Sequence, residues 1–360
     1  MTTPTPKPVA STHRADGGAP EIEAYFRGLV AIHQGAWVAD GGHVVDLNVD
    51  GLGIRLRFTS PALWEAYRGS LGHLSSPLPR VDLTLLMMDG HGCSVPAPHW
   101  QEGDYALRGE LPRLSSQDFF TTFNIDSGVL NMLDRRRSLG VHWVRTPSAL
   151  PQYELGAPLR DILSDWMTLR ERQLIHAGAL GHPQGGVLLL GPGGSGKSST
   201  AAACLGSPLG VVSDDYCLVD VAGEAPRAIG LFSTLKLFES DDLDLPGARA
   251  LPSTLSAQSG KRLYHLGGGE TDCLLKACTL RSLLICRVGD TRETYISKAT
   301  KGEVLRAMAP STLLQLPGAG HRSFEMMASL VRTLPCFSLH LGHDRGGVVS
   351  ALAAYLEPWA

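Results

Sequence analysis

The segment Gly191-Pro192-Gly193-Gly194-Ser195-Gly196-Lys197-Ser198 has the residue types and spacing of a loop that holds phosphate. The apolar run Gly186–Leu190 precedes it, and Ser199-Thr200-Ala201-Ala202-Ala203, a good helix start, follows. In that setting the glycines let successive backbone N–H groups curl around an anion, and the helix N-terminus adds partial positive charge. Lys197 would reach the outer phosphates and the Ser198 hydroxyl would sit on Mg2+. The expected ligands are therefore ATP and Mg2+, held by Gly191, Gly193, Gly194, Ser195, Gly196, Lys197, Ser198 and Ser199. A plain glycine/serine turn before an ordinary helix is the alternative. Glycine is entropically costly there and a lysine in a first helical turn opposes the macrodipole, so a bound anion accounts better for both.

A second constellation follows. Val211-Val212-Ser213-Asp214-Asp215 places two carboxylates where an apolar strand leaves the core. The stretch from Lys197 to Asp214 has room for one helix, a turn (Gly206–Gly210) and a returning strand, so both motifs fall at one sheet edge. One carboxylate there can hold Mg2+ while the other takes the proton of an attacking hydroxyl. Two adjacent carboxylates repel, which raises the pKa of one unless a cation is bound. His176, on the strand that pairs with the one entering the loop, is a candidate to orient a carboxylate or contact phosphate. Lys236 and Arg262, the latter beside Lys261, are candidates to neutralise a transferring phosphate. Gly267-Gly268-Gly269 suggests a mobile lid.

The elements that must position these groups are legible in outline. Glu21–His33 reads as a helix, Val44–Val49 and Gly53–Phe58 as a hairpin about Asp50-Gly51, Ala62–Leu71 as a helix with Ser60 as N-cap, and Val81–Met88 as a strand. This predicts a small N-terminal α+β domain over residues 21–148, after a disordered leader at 1–20, and a catalytic domain over 149–360. Pro147–Pro158 reads as the linker. Asp134-Arg135-Arg136-Arg137 reads as a solvated charged face rather than an anion site. Leu159, Ile162, Leu163, Trp166 and Leu169 form a core-facing helical stripe. Leu174–Leu180 and Gly186–Leu190 read as strands joined by Gly181–Gly185, too short for a parallel crossover, so the strand entering the loop has an antiparallel partner. Later strands are expected at Gly210–Ser213, Tyr216–Asp220, Ala277–Arg287, Glu293–Ser297 and Phe337–Leu341. Helices are expected at Lys301–Ala309, Arg322–Thr333 and Gly346–Leu356, and Glu239–Gly269 reads as loop.

Composition bounds the partners. The chain has 360 residues, 43% apolar and 19% charged, with formal net charge −3. The absence of a basic excess argues against a general nucleic-acid binder. No apolar run approaches the roughly 20 residues of a membrane span, so no membrane partner is expected. The seven cysteines form no C-x-x-C pair, which suggests neither a disulfide framework nor zinc and fits a cytoplasmic setting.

Leu174-Ile175-His176-Ala177-Gly178-Ala179, the loop itself and Val212-Ser213-Asp214-Asp215 resemble the catalytic domain of bacterial HPr kinase/phosphorylase. More closely, the chain is similar to HPr-kinase-related serine kinases, some of them encoded beside lasso-peptide genes. Ala228–Leu237 and Ala309–Gly320 also resemble that group, so the likeness covers about residues 150–360. It implies an α/β fold: a P-loop nucleotide-binding core of the HPr kinase/phosphoenolpyruvate-carboxykinase-like type, a mixed sheet with an antiparallel hairpin before the loop. It implies a site made of His176, Lys197, Ser198, Asp214 and Asp215, in which one aspartate is the base and the other holds the metal with Ser198; of the two assignments, Asp214 as base and Asp215 on the metal is the one favoured here. Arg227-Ala228-Ile229-Gly230 is at best a degenerate match to the segment that family uses for phosphorolysis, so the resemblance does not extend to that activity or to HPr as acceptor, and both stay open. The expected function is transfer of the γ-phosphate of ATP to a hydroxyl, on Ser or Thr of a peptide or protein. A small-molecule kinase on the same core and a non-catalytic ATP-sensing regulator are the alternatives, and homo-oligomerisation stays open.

Overall fold

A computed structural model describes residues 19–91, 93, 103–238, 253–255, 260–266, 274–289 and 292–360. The expected leader and the Gly267–Gly269 lid lie outside the described residues, apart from Ala19 and Pro20. The chain is mixed α/β, with three sheets and eight α-helices among the described residues.

The first half runs α1 (Ala19–Asp40), β1 (His43–Val49), β2 (Leu52–Phe58), α2 (Pro61–Leu71), β3 (Leu83–Asp89), β4 (Phe119–Asn124), β5 (Val129–Asp134) and β6 (Leu139–Val144). These strands form one sheet in the order β1-β2-β3-β6-β5-β4. The β1–β2 hairpin turns at Asp50-Gly51 as expected, both with positive φ. Three findings differ from the sequence reading. The helix runs to Asp40, the β4–β6 meander had no clear signal, and Ser60 caps nothing, its hydroxyl donating instead to Asp89. Arg135, Arg136 and Arg137 are ion-paired to Asp165, Asp118 and Asp134.

The second half runs α3 (Gln152–Gly156), α4 (Arg160–Thr168), β7 (Arg172–Ile175), β8 (Gly178–His182), β9 (Gly185–Leu190), α5 (Lys197–Cys204), β10 (Gly210–Ser213), β11 (Cys217–Asp220), β12 (Arg227–Ile229), β13 (Thr234–Phe238), β14 (Ser253–Leu255), β15 (Lys261–His265), β16 (Ala277–Val288), β17 (Tyr295–Lys298), α6 (Lys301–Gln315), α7 (His321–Thr333), β18 (Cys336–Leu341) and α8 (Arg345–Leu356). A nine-stranded sheet has the path β10-β8-β9-β16-β12-β11-β7, with β18 pairing β16 and β17 pairing β18. β13, β15 and β14 form a small third sheet. The β8–β9 pair is antiparallel, as its short connection requires, whereas β9 runs parallel to β16.

Alternation along β9 explains the layering. Val187 and Leu189 point to a core shared with α5 and α8, and Leu188 and Leu190 to one shared with α6 and α7. The sheet is thus buried on both faces, which is why β9 reads as an unbroken apolar run.

Several expectations are corrected. Leu174–Leu180 is two strands that part at His176-Ala177, because β7 pairs β11 while β8 pairs β9 and β10. The α4 helix stops at Thr168, since Arg172 and Gln173 are taken by the β11 ladder, and Leu169 is 44% exposed rather than core-facing. Residues 147–157 are not a free linker: Pro147, Leu150, Glu154, Gly156 and Ala157 are buried. The α6 helix continues through Pro310 to Gln315, held there where Thr312 Oγ1 accepts the His176 N–H and Gln315 Oε1 accepts the Tyr216 hydroxyl. β14 and β15 form inside the stretch read as loop. Finally, one core cluster joins the halves: Leu56, Leu85 and Leu133 pack in the same cluster as Leu174, Leu218, Ile229 and Phe232.

Candidate functional site

The glycine loop between β9 and α5 owes its shape to backbone conformations that side chains resist. Gly191, Gly194 and Gly196 have φ of +141°, +80° and +95°. A Cβ at Gly196 would lie 2.3 Å from Leu341 Cδ1, so close packing under the helix start adds a steric reason there. Gly193 and Gly194 instead face open space and are exposed. Lys197 opens α5, and its ammonium donates to the carbonyls of Gly191 (2.7 Å) and Pro192 (3.1 Å). Burial lowers the Lys197 pKa against the opposing pull of Cys286, Asp214 and Asp215.

Across the cavity, the turn that follows β10 carries the carboxylates. The pairing of β10 with β8 slips between Val211 and Ser213, a bulge that re-aims the chain just before them. The Ser213 hydroxyl then donates to the Tyr216 carbonyl at 2.6 Å, closing a turn over Asp214-Asp215. Asp214 is 2% exposed; its Oδ2 accepts the Lys236 N–H at 3.0 Å, and its Oδ1 is buried with no hydrogen-bond partner. Burial, reinforced by the Asp215 charge, pushes Asp214 up to about 6, against the Lys236 N–H bond, the nearby Ser198 hydroxyl and the Lys236 charge. Asp215 behaves oppositely. Its Oδ2 accepts from Lys236 Nζ at 2.7 Å and its Oδ1 meets His176 Nε2 at 3.1 Å. Burial would raise its pKa, but the Lys236 ammonium and His176 outweigh that and hold it well below the usual carboxylate range.

His176 sits at the corner between β7 and β8. Its backbone N–H donates to Thr312 Oγ1 (3.1 Å), Nδ1 is buried without a partner, and its ring lies 5.5 Å from that of Tyr216. With Nε2 bearing the proton, it donates to Asp215. Tyr216 in turn donates to Gln315 Oε1 at 2.7 Å. Thr312 and Gln315 thus brace the site from α6, a role for the Ala309–Gly320 segment that spacing alone did not show.

One cavity of about 290 Å3 is bounded by the loop residues from Gly193 to Ser199, and by His176, Asp214, Asp215, Lys236, Phe238, Lys261 and Val288. Of the residues singled out from sequence, Gly193, Gly194, Ser195, Gly196, Lys197, Ser198, Ser199, His176, Asp214, Asp215 and Lys236 therefore meet at one place. Gly191 lies below them as an acceptor for Lys197. Arg262 is not among the lining residues; its neighbour Lys261 is, with its ammonium 4.7 Å from the Phe238 ring centre. Phe238 and Val288 were missed. Period-two alternation from Thr234 through Lys236 to Phe238 was the available signal for the first. Val288 ends β16, the parallel neighbour of β9, which only the sheet order reveals.

Among the described residues no group of three or more His, Cys, Asp or Glu side chains converges as a metal site, and no helix is long and apolar enough to cross a membrane. The oxygens of Asp214, Asp215 and Ser198 are hard donors of the kind magnesium accepts. That ion uses one or two carboxylates and leaves its remaining positions to water and phosphate oxygens. No family model matches the chain, and no curated protein matches it.

Proposed function

We propose that this chain is an ATP-dependent kinase on a P-loop core of the HPr kinase-like type, transferring the γ-phosphoryl group to a hydroxyl of serine or threonine in a peptide or protein. One observation carries the reading: a glycine loop with its lysine and an aspartate pair of opposite electrostatic character border the same cavity. The likeness of His176, Lys197, Ser198, Asp214 and Asp215 to that family's site supports it.

The roles follow from the local chemistry. The loop from Gly193 to Ser199 cradles the phosphates, while Lys197, Lys236 and Lys261 offset their charge. Asp214 suits the base, because a pKa near 6 leaves it ionised at neutral pH yet basic enough to take a proton, and its Oδ1 has no competing donor. The acceptor hydroxyl gives that proton to Oδ1 as its oxygen bonds to the γ-phosphorus, and the bond from phosphorus to the bridging oxygen breaks to release ADP. Asp215, held ionised, and the Ser198 hydroxyl would hold Mg2+, which when bound neutralises charge on the β- and γ-phosphate oxygens. His176 orients Asp215 through Nε2.

The test incubates the full chain with Mg2+, ATP and serine-containing peptides and reads phosphate addition by mass. Lys197→Ala should abolish product, and Asp214→Asn should lose turnover while keeping nucleotide binding. Undiminished product from the lysine variant would overturn the proposal.

A further inference from the structure

The short helix α3, in the stretch that reads as a linker, reaches the candidate site at its last residue. Gly156 ends α3, and a Cβ built there would lie 2.9 Å from Lys236 Cε, 3.2 Å from Leu263 Cδ1 and 3.4 Å from Lys236 Nζ. Its φ is not positive, so conformation does not require glycine at this point. Space does: the Lys236 side chain runs over the bare α-carbon to reach Asp215. The contact is fixed from both sides. Thr234 Oγ1, two residues before Lys236 on β13, donates to the Gly156 carbonyl at 2.8 Å. From the N-terminal half, the Ser70 hydroxyl donates to the Leu155 carbonyl, and the Ser233 backbone N–H donates back to the Ser70 carbonyl at 3.0 Å.

We infer that Gly156 is a positioning residue: its missing side chain is the seat for the Lys236 stem, and through it the N-terminal half sets the ion pair between Lys236 and Asp215. A methyl group at 156 would meet Lys236 Cε first, then Leu263 Cδ1, then Lys236 Nζ. The part that yields is the end of the lysine, and that end makes the 2.7 Å pair with Asp215. The ammonium is displaced, and the exposure of the Lys236 side chain, 15% here, rises. The geometric claim stands apart from the proposed reaction; only the kinetic consequence rests on the kinase reading.

The experiment compares Gly156→Ala with wild type as full chains. Lys236 is labelled with an amine-reactive ester and its modification rate is read by mass spectrometry. A several-fold faster rate at Lys236, with other lysines unchanged, is expected; an unchanged rate in a folded variant overturns the inference. If phosphoryl transfer is established, the variant should lower kcat with little change in KM for ATP, because the loop is untouched. Lys236→Ala supplies the second arm. With the lysine stem gone the added methyl has room, so Gly156→Ala should cost kcat in the wild-type background and almost nothing in Lys236→Ala. Equal cost in both backgrounds refutes the seat. Should Gly156→Ala alone fail to fold, folding restored by the second substitution supports it and failure of both variants refutes it. If no acceptor is ever phosphorylated, the kinase reading falls while the labelling result still decides the positioning claim.

Discussion

Substituting Asp214→Asn tests the electrostatics of the site without reference to any ligand. Asp214 is 2% exposed and stands at about 6 against an ordinary 3.8. The difference of about two pH units is worth about 3 kcal/mol at about 1.4 kcal/mol each. Because the folded value is raised, the native state binds more protons than the unfolded one between about pH 4 and 6. Stability therefore falls as pH rises through that window, and the full penalty is present above about pH 7. The asparagine variant carries no charge and escapes it. Integrating the two titrations gives a relative advantage of about 1.6 kcal/mol at pH 5 and about 3 kcal/mol at pH 8. The amide can still accept the Lys236 N–H, but its NH2 sits where Oδ1 has no partner, which subtracts about 1 kcal/mol at every pH. The pH-dependent part, about 1.4 kcal/mol between pH 5 and 8, is unaffected by that offset. Urea unfolding of both proteins at the two pH values measures it directly. A stability difference that is flat or shrinks as pH rises would refute burial as the force acting on Asp214, and with it the case for a carboxylate tuned as a base.

Further outcomes are expected. Lys197→Met removes an ammonium that burial already disfavours, so melting temperature should hold, yet Mg·ATP affinity by calorimetry should drop at least about tenfold for a lost charge-assisted phosphate contact. Gly196→Ala meets both a φ of +95° and a 2.3 Å approach to Leu341, so it should destabilise by about 2 kcal/mol or more; adding Leu341→Ala relieves the clash but not the backbone cost of about 1 kcal/mol. A chain starting at residue 149 would expose Leu174, Leu218, Ile229 and Phe232, and should be insoluble or molten by near-ultraviolet circular dichroism. Tyr216→Phe leaves Gln315 without its donor and should cost about 1 kcal/mol in thermal unfolding, loosening the brace behind His176.

The loop and its flanking strand and helix were legible because local rules specify them: glycines where φ is positive, an apolar run buried on both faces, and a small-residue helix start. The hairpin partner was legible from a short connection alone. What escaped depends on partners distant in sequence. Nothing local announces that β7 and β8 part at His176, since the break exists only because two different strands compete for the chain on either side. Gly156 looks like linker glycine until β13 brings Lys236 over it. The loop-like composition of residues 239–269 hid β14 and β15, whose pairing to β13 is long-range.

Two neighbouring residues of a regular strand point to opposite faces, so Asp214-Asp215 on an ideal β10 could not both border one cavity. The slip at Val212 and the turn closed by Ser213 onto Tyr216 take the pair off the ladder at the point where the sheet ends. Once free of it, each aspartate is defined by what approaches it from elsewhere. The backbone N–H of Lys236 takes one oxygen of Asp214 and leaves the other unpartnered in a dry environment, while the Lys236 side chain and His176 claim both oxygens of Asp215. Lys236 pulls both carboxylates down, but its ammonium and His176 together outweigh burial only at Asp215; at Asp214 burial and the Asp215 charge prevail, so one is raised and the other lowered. In the proposed reaction that asymmetry separates the proton acceptor from the cation holder, and it rests on which groups reach each carboxylate.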